Sequence, residues 1–303
     1  MYCHTVPTIP LTIVASFAYM TGTLYVVATP LGNLEDVTLR AVRVLREVSL
    51  IACEDTRRTS RLLAAHGIQT PTTSYFEHNE EWKGERILEA LRQGRDVALV
   101  SDAGTPAVSD PGYRLVRDAR AAGLAVLPVP GPSAAVAALS VSGLPSDRFL
   151  FVGFLPGRRA ARRRALEELA DREETLVVYE SPHRLLEALE DLRAVLGERE
   201  AFLCREATKA HEEYRRATLG ALHDDLAARE EVKGEVVLVV AGAGGDERAP
   251  LPVDDATLRE MFTRLSGEGL PRRAAVKEIA RRLGLAARDV YARVQDPPDG
   301  EVD

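Results

Sequence analysis

Short apolar, β-branched runs alternate with longer amphipathic stretches from residue 24 onward, and this alternation restricts the possible folds more than any other feature of the chain. Residues 24–29, 50–53, 97–101 and 124–129 read as strands. Residues 36–48, 56–66, 80–93 and 113–122 read as helices, with Gly67, Gly94 and Gly123 at their C-terminal stops. Strands separated by helices pack as a parallel sheet with right-handed crossovers. A further helix, 132–141, opens through Pro130-Gly131-Pro132-Ser133, where a proline in the first turn removes no hydrogen bond.

After Gly143-Leu144-Pro145 the pattern restarts, with strands at 149–154, 175–179, 201–205 and 235–241 and helices at 162–170, 182–196 and 219–229. Residues 211–218 fit either an antiparallel strand or a loop. A chain of 303 residues exceeds one typical core, so two domains are expected, 20–145 and 146–245. The Gly-rich stretch 242–246, followed by Pro250 and Pro252, marks a second boundary; beyond it, 270–280 and 289–294 read as a helix pair in a tail spanning 246–303. The apolar run 9–19 has no Lys or Arg ahead of it and is too short for a membrane span, so Met20 is read as the natural start and 1–19 as a non-native or disordered extension.

Composition removes several function classes. A formal charge of −7 argues against a wholly basic nucleic-acid coat but is silent on local patches. Cys3, Cys53 and Cys204 are too few and too scattered for a disulfide framework, which fits a reducing compartment, the cytoplasm. The six histidines show no ligand spacing, so no metal is expected. Walker loops and Gly-x-Ser-x-Gly elbows are absent, and Gly242-Ala243-Gly244-Gly245-Asp246 runs into Pro250 rather than opening a helix, so it reads as a linker. The strongest ligand signal is the apolar run 97–100 emptying into Ser101-Asp102-Ala103-Gly104-Thr105-Pro106-Ala107-Val108-Ser109-Asp110-Pro111-Gly112, because strand-end loops of α/β sheets hold small molecules.

Five segments in order carry a resemblance: 24–38 with Thr29-Pro30-Leu31-Gly32-Asn33, Glu54-Asp55-Thr56-Arg57, the Ser101–Gly112 loop, Pro130-Gly131-Pro132-Ser133-Ala134, and Glu180-Ser181-Pro182-His183-Arg184. The chain resembles the tetrapyrrole methylase superfamily and, within it, the ribosomal RNA small-subunit methyltransferase I family. That resemblance implies two α/β domains with a ligand cleft between them and a small helical tail, S-adenosylmethionine in the cleft, and a homodimer. It implies methylation of the ribose 2′-OH of a decoding-centre cytidine in 16S rRNA, with no membrane partner. By motif position it places Pro30, Ser101, Asp102, Thr105, Ser133, Ala134, Glu180 and Ala207 at the cofactor. Ser-Asp-Ala-Gly-Thr-Pro and Thr-Pro-Leu-Gly-Asn stand where corrin and porphyrin enzymes carry Gly-Asp-Pro and a Gly-rich run ending Gly-Asp, which favours an RNA acceptor over the alternative, a tetrapyrrole. A non-enzymatic rRNA-binding factor on the same fold is a third reading.

Methyl transfer needs alignment of oxygen, methyl and sulfur, and a proton acceptor assists it. Glu54 and Lys209 are the candidate catalytic groups; the competing reading for each is an ordinary salt bridge. RNA binding requires phosphate neutralisation. Arg158, Arg159, Arg162, Arg163 and Arg164 fall at spacings suited to one cationic helix face, extended by Arg184, Arg205, Lys209, Arg215 and Arg216 if these share the cleft. Arg272, Arg273, Lys277, Arg281 and Arg282 form a second stripe. A solvated face balanced by Glu167, Glu168 and Asp171 is the competing reading. Arg57 and His183 are candidates to stack on or hydrogen-bond an extruded base, His183 being equally suited to capping or packing.

Overall fold

The computed structural model of the protein describes residues 21–244, 255–267, 270–283 and 287–294. The stretch read as an extension, 1–19, lies outside the described residues, as do 245–254 of the expected linker. Strands β1 (Thr23–Val27), β2 (Leu50–Cys53), β3 (Thr72–Ser74), β4 (Val97–Val100) and β5 (Ala125–Val129) form a sheet in the order β3-β2-β4-β1-β5, every neighbouring pair parallel. Helices α1 (Leu39–Glu47), α2 (Thr56–Ala65), α3 (Glu80–Arg92) and α4 (Tyr113–Ala121) connect them. All of β4 is buried, because one sheet face packs on Ile87, Leu91 and Leu115 and the other on Ala41, Val44 and Leu45.

Two local expectations shift. Thr38 caps α1 by accepting from the Ala41 N–H (3.1 Å), so residues 34–36 form a separate tight turn rather than the helix start. Strand β3 was not anticipated, since Thr-Thr-Ser carries no apolar run; it holds its edge position through pairing with β2.

Helix α5 (Ala134–Ser142) leads to a second sheet of β6 (Phe149–Phe154), β7 (Thr175–Glu180), β8 (Glu200–Arg205), β9 (Glu213–Thr218) and β10 (Val236–Val240), ordered β6-β7-β10-β8-β9. It is mixed rather than parallel: β6 and β7 are parallel, whereas β10 is antiparallel to β7 and β8, and β9 to β8. The segment 211–218, open between strand and loop, decides this. β9 reverses the chain beside β8, and the return through α8 (Leu219–Ala227) keeps the reversed direction for β10. Helices α6 (Arg159–Glu167), which starts before the expected residue 162, and α7 (Leu185–Leu196) cover this sheet through Leu166, Leu185, Leu189 and Leu192.

Helices α9 (Asp255–Gly267), α10 (Arg272–Leu283) and α11 (Ala287–Arg293) share an apolar cluster of Leu258, Leu265, Val276, Ile279 and Val290. The pair α10 and α11 matches the expected helices, α9 was not anticipated, and the turn at 284–286 lies outside the described residues.

Sheet order positions the site. The chain leaves β1 toward β2 and leaves β4 toward β5, in opposite directions across the sheet, so the loops at their carboxyl ends diverge and open a crevice. In the second sheet, Val236 at the start of β10 pairs with Glu180 and with Arg205, which puts the ends of β7 and β8 on one edge.

Candidate functional site

A cavity of about 350 Å³ lies where the strand-end loops of the first sheet meet that edge of the second. Such a volume is within the usual range for small-molecule sites, roughly 300–1,000 Å³. Glu54 follows β2, Asp102 to Thr105 follow β4, and Ser133 and Ala134 open α5. Phe154, Tyr179, Glu180, Ala207 and Val236 close the cavity from the second sheet. Of the eight expected cofactor residues, Asp102, Thr105, Ser133, Ala134, Glu180 and Ala207 line this space.

The β4 loop is tied down from both sides. Thr29 and Gly104 exchange backbone hydrogen bonds of 2.8 and 3.0 Å, and the Thr29 hydroxyl donates to the Ser101 carbonyl (3.1 Å). Ser101 is itself buried, its hydroxyl close to the Ala103 carbonyl (3.2 Å), so it supports the loop from beneath. The Thr105 hydroxyl donates to the Pro132 carbonyl (3.1 Å), joining the loop to the start of α5. Asp102 accepts from the Asp55 N–H (3.0 Å) and pairs with Arg58 (3.3 Å), locking the loops after β2 and β4 together.

Further along the loop, Ala107 (φ 66°) and Ser109 (φ 61°) take the left-handed conformation, which side chains disfavour and which clusters at ligand sites. The loop turns there against Gly153, whose own φ of 71° strains any side chain and whose added Cβ would stand 2.9 Å from the Ser109 hydroxyl oxygen. The turn delivers Asp110 into the cavity. Burial first, then the negative charges of Glu54, Asp102 and Glu235, push the Asp110 carboxyl up to about 6, against the opposing hydrogen bond of Ser101. Sequence reasoning quoted this loop yet passed over Asp110, because neither left-handed turn leaves a mark in residue type.

Glu180 is 2% exposed. One carboxylate oxygen accepts from the Ser181 N–H (2.8 Å) and from Arg184 (2.7 Å); the other, buried, has no protein partner. A buried carboxylate oxygen left open in a cavity wall calls for a donor from a ligand. The Tyr179 hydroxyl beside it accepts from the Ala135 N–H (3.1 Å), fixing α5 against β7.

A second hollow, about 310 Å³, adjoins the first and shares Leu31, Arg58, Asp102, Ala103 and Glu235 with it. Pro30, Ser101, Arg61 and Lys209 line this one. The Lys209 stem crosses Gly32, where a Cβ would lie 2.2 Å from Lys209 Cγ, and its ammonium bonds Glu206 (2.7 Å) and Glu235 (3.1 Å). Burial alone would lower the Lys209 pKa, but those two carboxylates outweigh it and raise the value, so the charged form is held. Glu54 behaves differently: burial, reinforced by Asp102, pushes its carboxyl up, with Arg58 opposing. The two candidate catalytic residues thus stand on either side of one shared wall.

The arginines expected at RNA divide sharply. Arg162 is a correction: its side chain is fully buried, bonded to Asp191 (2.8 Å) and Glu187 (3.3 Å), and no phosphate reaches it. Arg159 and Arg163 reach the same Asp191 from the surface, at 3.1 and 2.7 Å. Arg184 is occupied with Glu180, Arg205 with Glu213 (2.8 Å), and Arg57 with Asp55 (2.8 Å), the cap of α2. Arg215 and Arg216 pair with Asp225 and Glu200, and Arg272 lies over the Phe262 and Tyr291 rings. Arg158, Arg164, Arg61 and His183 are exposed and make no ion pair among the described residues. Of the tail stripe, Arg273 and Lys277 are exposed.

The family model for Tetrapyrrole (Corrin/Porphyrin) Methylases matches residues 23–223. A ribosomal RNA small subunit methyltransferase I from Halalkalibacterium halodurans is 48% identical over 273 residues, 89% of this chain and 93% of the relative. A protein of the same name from Pseudomonas aeruginosa is 54% identical over 223 residues, 73% of this chain and 79% of the relative. Among solved structures, a uroporphyrin-III C-methyltransferase from Thermus thermophilus complexed with S-adenyl homocysteine shares the fold at a TM-score of 0.51 and 23% identity, over 73% of this chain and 97% of that one.

Proposed function

The chain belongs to the tetrapyrrole methylase family and, within it, to the ribosomal RNA small subunit methyltransferase I proteins, and from this membership we propose that it methylates small-subunit rRNA using S-adenosylmethionine. The observation that carries the reading is the reach of the identity: 48% over 89% of the chain and 93% of the relative. The finer proposal is transfer to the 2′-oxygen of a decoding-centre cytidine, in the cytoplasm, by a homodimer. Exposed Leu127 on edge strand β5 and Phe149 on edge strand β6 offer apolar surface to a second copy. No described helix is long and apolar enough to cross a membrane.

The residues of the first cavity fit the methyl donor. Val236, Tyr179, Ala134 and Ala207 give an apolar bed for an adenosine, and the open oxygen of Glu180 awaits a hydroxyl or ammonium donor. Ser133 and Ala134, at the start of α5, suit the carboxylate end, since first-turn N–H groups lack intrahelical partners. Bound there, S-adenosylmethionine supplies a methyl group on a cationic sulfur. Pro30 and Ser101 support the neighbouring hollow, which we assign to the acceptor ribose.

Glu54, whose carboxyl burial pushes up from its ordinary range, is the proposed acceptor of the ribose hydroxyl proton. Lys209, held charged, is assigned to positioning the acceptor rather than to accepting a proton. Exposed Arg158, Arg61 and His183, with Arg57, Arg159 and Arg163 at the surface ends of their pairs, are the proposed RNA contacts. Arg184 and Arg205 act from behind, fixing Glu180 and β9.

The test is transfer of labelled methyl from S-adenosylmethionine to small ribosomal subunits, with a corrin precursor as the competing acceptor and mapping of the labelled nucleotide. Label in the ribose of a 16S cytidine is expected. Label in the corrin alone would reject the RNA reading, and donor binding without any transfer would favour a binding factor.

A further inference from the structure

We propose that the acidic wall around Asp110 holds a sulfonium-bearing methyl donor more tightly than the neutral thioether left after transfer, with Asp110 setting most of the difference. The inference rests on the methyl-donor reading above. Asp110 is faced by Glu54 from the end of β2, Asp102 from its own loop, Glu235 from the start of β10 and the Tyr179 hydroxyl from β7. The positive groups nearby are each paired with one of the cleft's own acids, Arg184 with Glu180 among them, which leaves Glu54 and Asp110 without an ion pair among the described residues. Arg58 pairs with Asp102 at 3.3 Å with 58% of its side chain exposed, and Lys209 bonds Glu206 and Glu235 in the other hollow. The cavity therefore carries more negative than positive charge, and the open oxygen of buried Glu180 is an independent sign that a ligand completes it.

The reaction changes the ligand's charge at this place. The hydroxyl oxygen forms a bond to the methyl carbon, the carbon–sulfur bond breaks with its electron pair remaining on sulfur, and the hydroxyl proton passes to Glu54 and then to solvent. A cation has become a neutral thioether. Attraction from the acidic wall acts on the first species and is lost for the second, so the wall retains donor and loosens product. Two left-handed residues, Ala107 and Ser109, place Asp110 there, and strain of that kind persists where a site demands it.

Calorimetric titration of wild type and Asp110→Asn with S-adenosylmethionine and S-adenosylhomocysteine, at pH 7 and pH 5, tests the idea. In wild type the preference for the methionine form should shrink by on the order of tenfold between pH 7 and pH 5, as Asp110 takes up a proton. Asp110→Asn should show the reduced preference at both pH values, with homocysteine-form affinity little changed. A wild-type preference independent of pH overturns the proposal, as does a pH-dependent preference that persists undiminished in Asp110→Asn, which would assign it to Glu54. If the variant fails to fold by circular dichroism, the wild-type pH comparison decides alone. Wild type binding neither compound defeats the methyl-donor reading itself; equal, pH-independent binding of both defeats this inference only.

Discussion

Where α6 meets α7, Arg159, Arg162 and Arg163 converge on the fully buried Asp191; at the strand-end cavity, Glu54, Asp102, Asp110, Glu180 and Glu235 share a wall on which Arg58 is the cationic residue. In the first region every buried charge has a partner of opposite sign within 3.3 Å. In the second, one carboxylate oxygen is left open and two carboxyls are pushed upward by burial and by neighbouring carboxylates. Sequence composition gives no warning of this contrast, since the arginine-rich α6 looked like the interaction surface and the carboxylates looked like ordinary pairs. Matched charge locks the fold; unmatched charge marks where something else binds.

Breaking the matched region should produce the largest effect. Asp191→Ala leaves Arg162 fully buried with only the Glu187 carboxylate and the Gly157 carbonyl, and removal of one partner from a buried pair costs about 3–5 kcal/mol. Urea unfolding should show that loss, while donor affinity of the folded fraction stays near wild type. A change below about 1 kcal/mol would mean that the arginine cluster is not the lock described here. Glu180→Gln tests the other side. It keeps the shape but weakens a charged acceptor, so donor affinity should fall by roughly 10- to 100-fold, the size of a charge-assisted hydrogen bond. Unaltered binding by calorimetry would remove Glu180 from the ligand's contacts.

Legibility in the sequence followed the same division. Strands β2 and β4 and most helix ends were readable, because buried parallel strands spell themselves as apolar runs and glycines stop helices. β3 was not, being three polar residues whose pairing is tertiary. The direction of β10 depended on β9, whose Glu-Tyr-Arg-Arg-Ala-Thr spelling left strand and loop open. At the site, motif position named Asp102, Ser133 and Glu180, which do line the cavity, but Asp110 depends on left-handed turns at Ala107 and Ser109 that no residue type announces. Arg162 shows the opposite failure. A helical spacing says which arginines share a face, not whether that face meets solvent or a buried aspartate.

A smaller effect sharpens the comparison through pH. An acid whose folded pKa is raised binds its proton more tightly folded than unfolded, so its contribution to stability is favourable at low pH and is lost as pH climbs through the folded value. For Asp110 that window runs from about 4, the ordinary value, up to about 6. Asp110→Asn should therefore stabilise the protein at pH 7, by about 1 kcal/mol once solvent screening of this partly exposed group is discounted, and leave stability at pH 4 nearly unchanged. Thermal melts at the two pH values read it directly. Equal melting temperatures at pH 7 would mean that the cavity relieves its charge in some other way, and gain of stability with loss of donor affinity would place Asp110 among residues whose function costs stability.

The smallest effect on folding should come from Arg158→Ala with Arg164→Ala, because both side chains are exposed and neither makes an ion pair among the described residues. Stability should move by less than about 0.5 kcal/mol. If they are phosphate contacts, however, the slope of log binding constant against log salt for an rRNA fragment should fall by about one for each arginine removed, since each contact releases condensed counterion. Arg159→Ala and Arg163→Ala supply the contrast on the same helix. Those two already neutralise Asp191, so removing them should cost stability while changing the slope less. A slope that responds equally to paired and unpaired arginines would show that the Asp191 network opens to meet RNA, and the division between matched and unmatched charge would then hold only for the free protein.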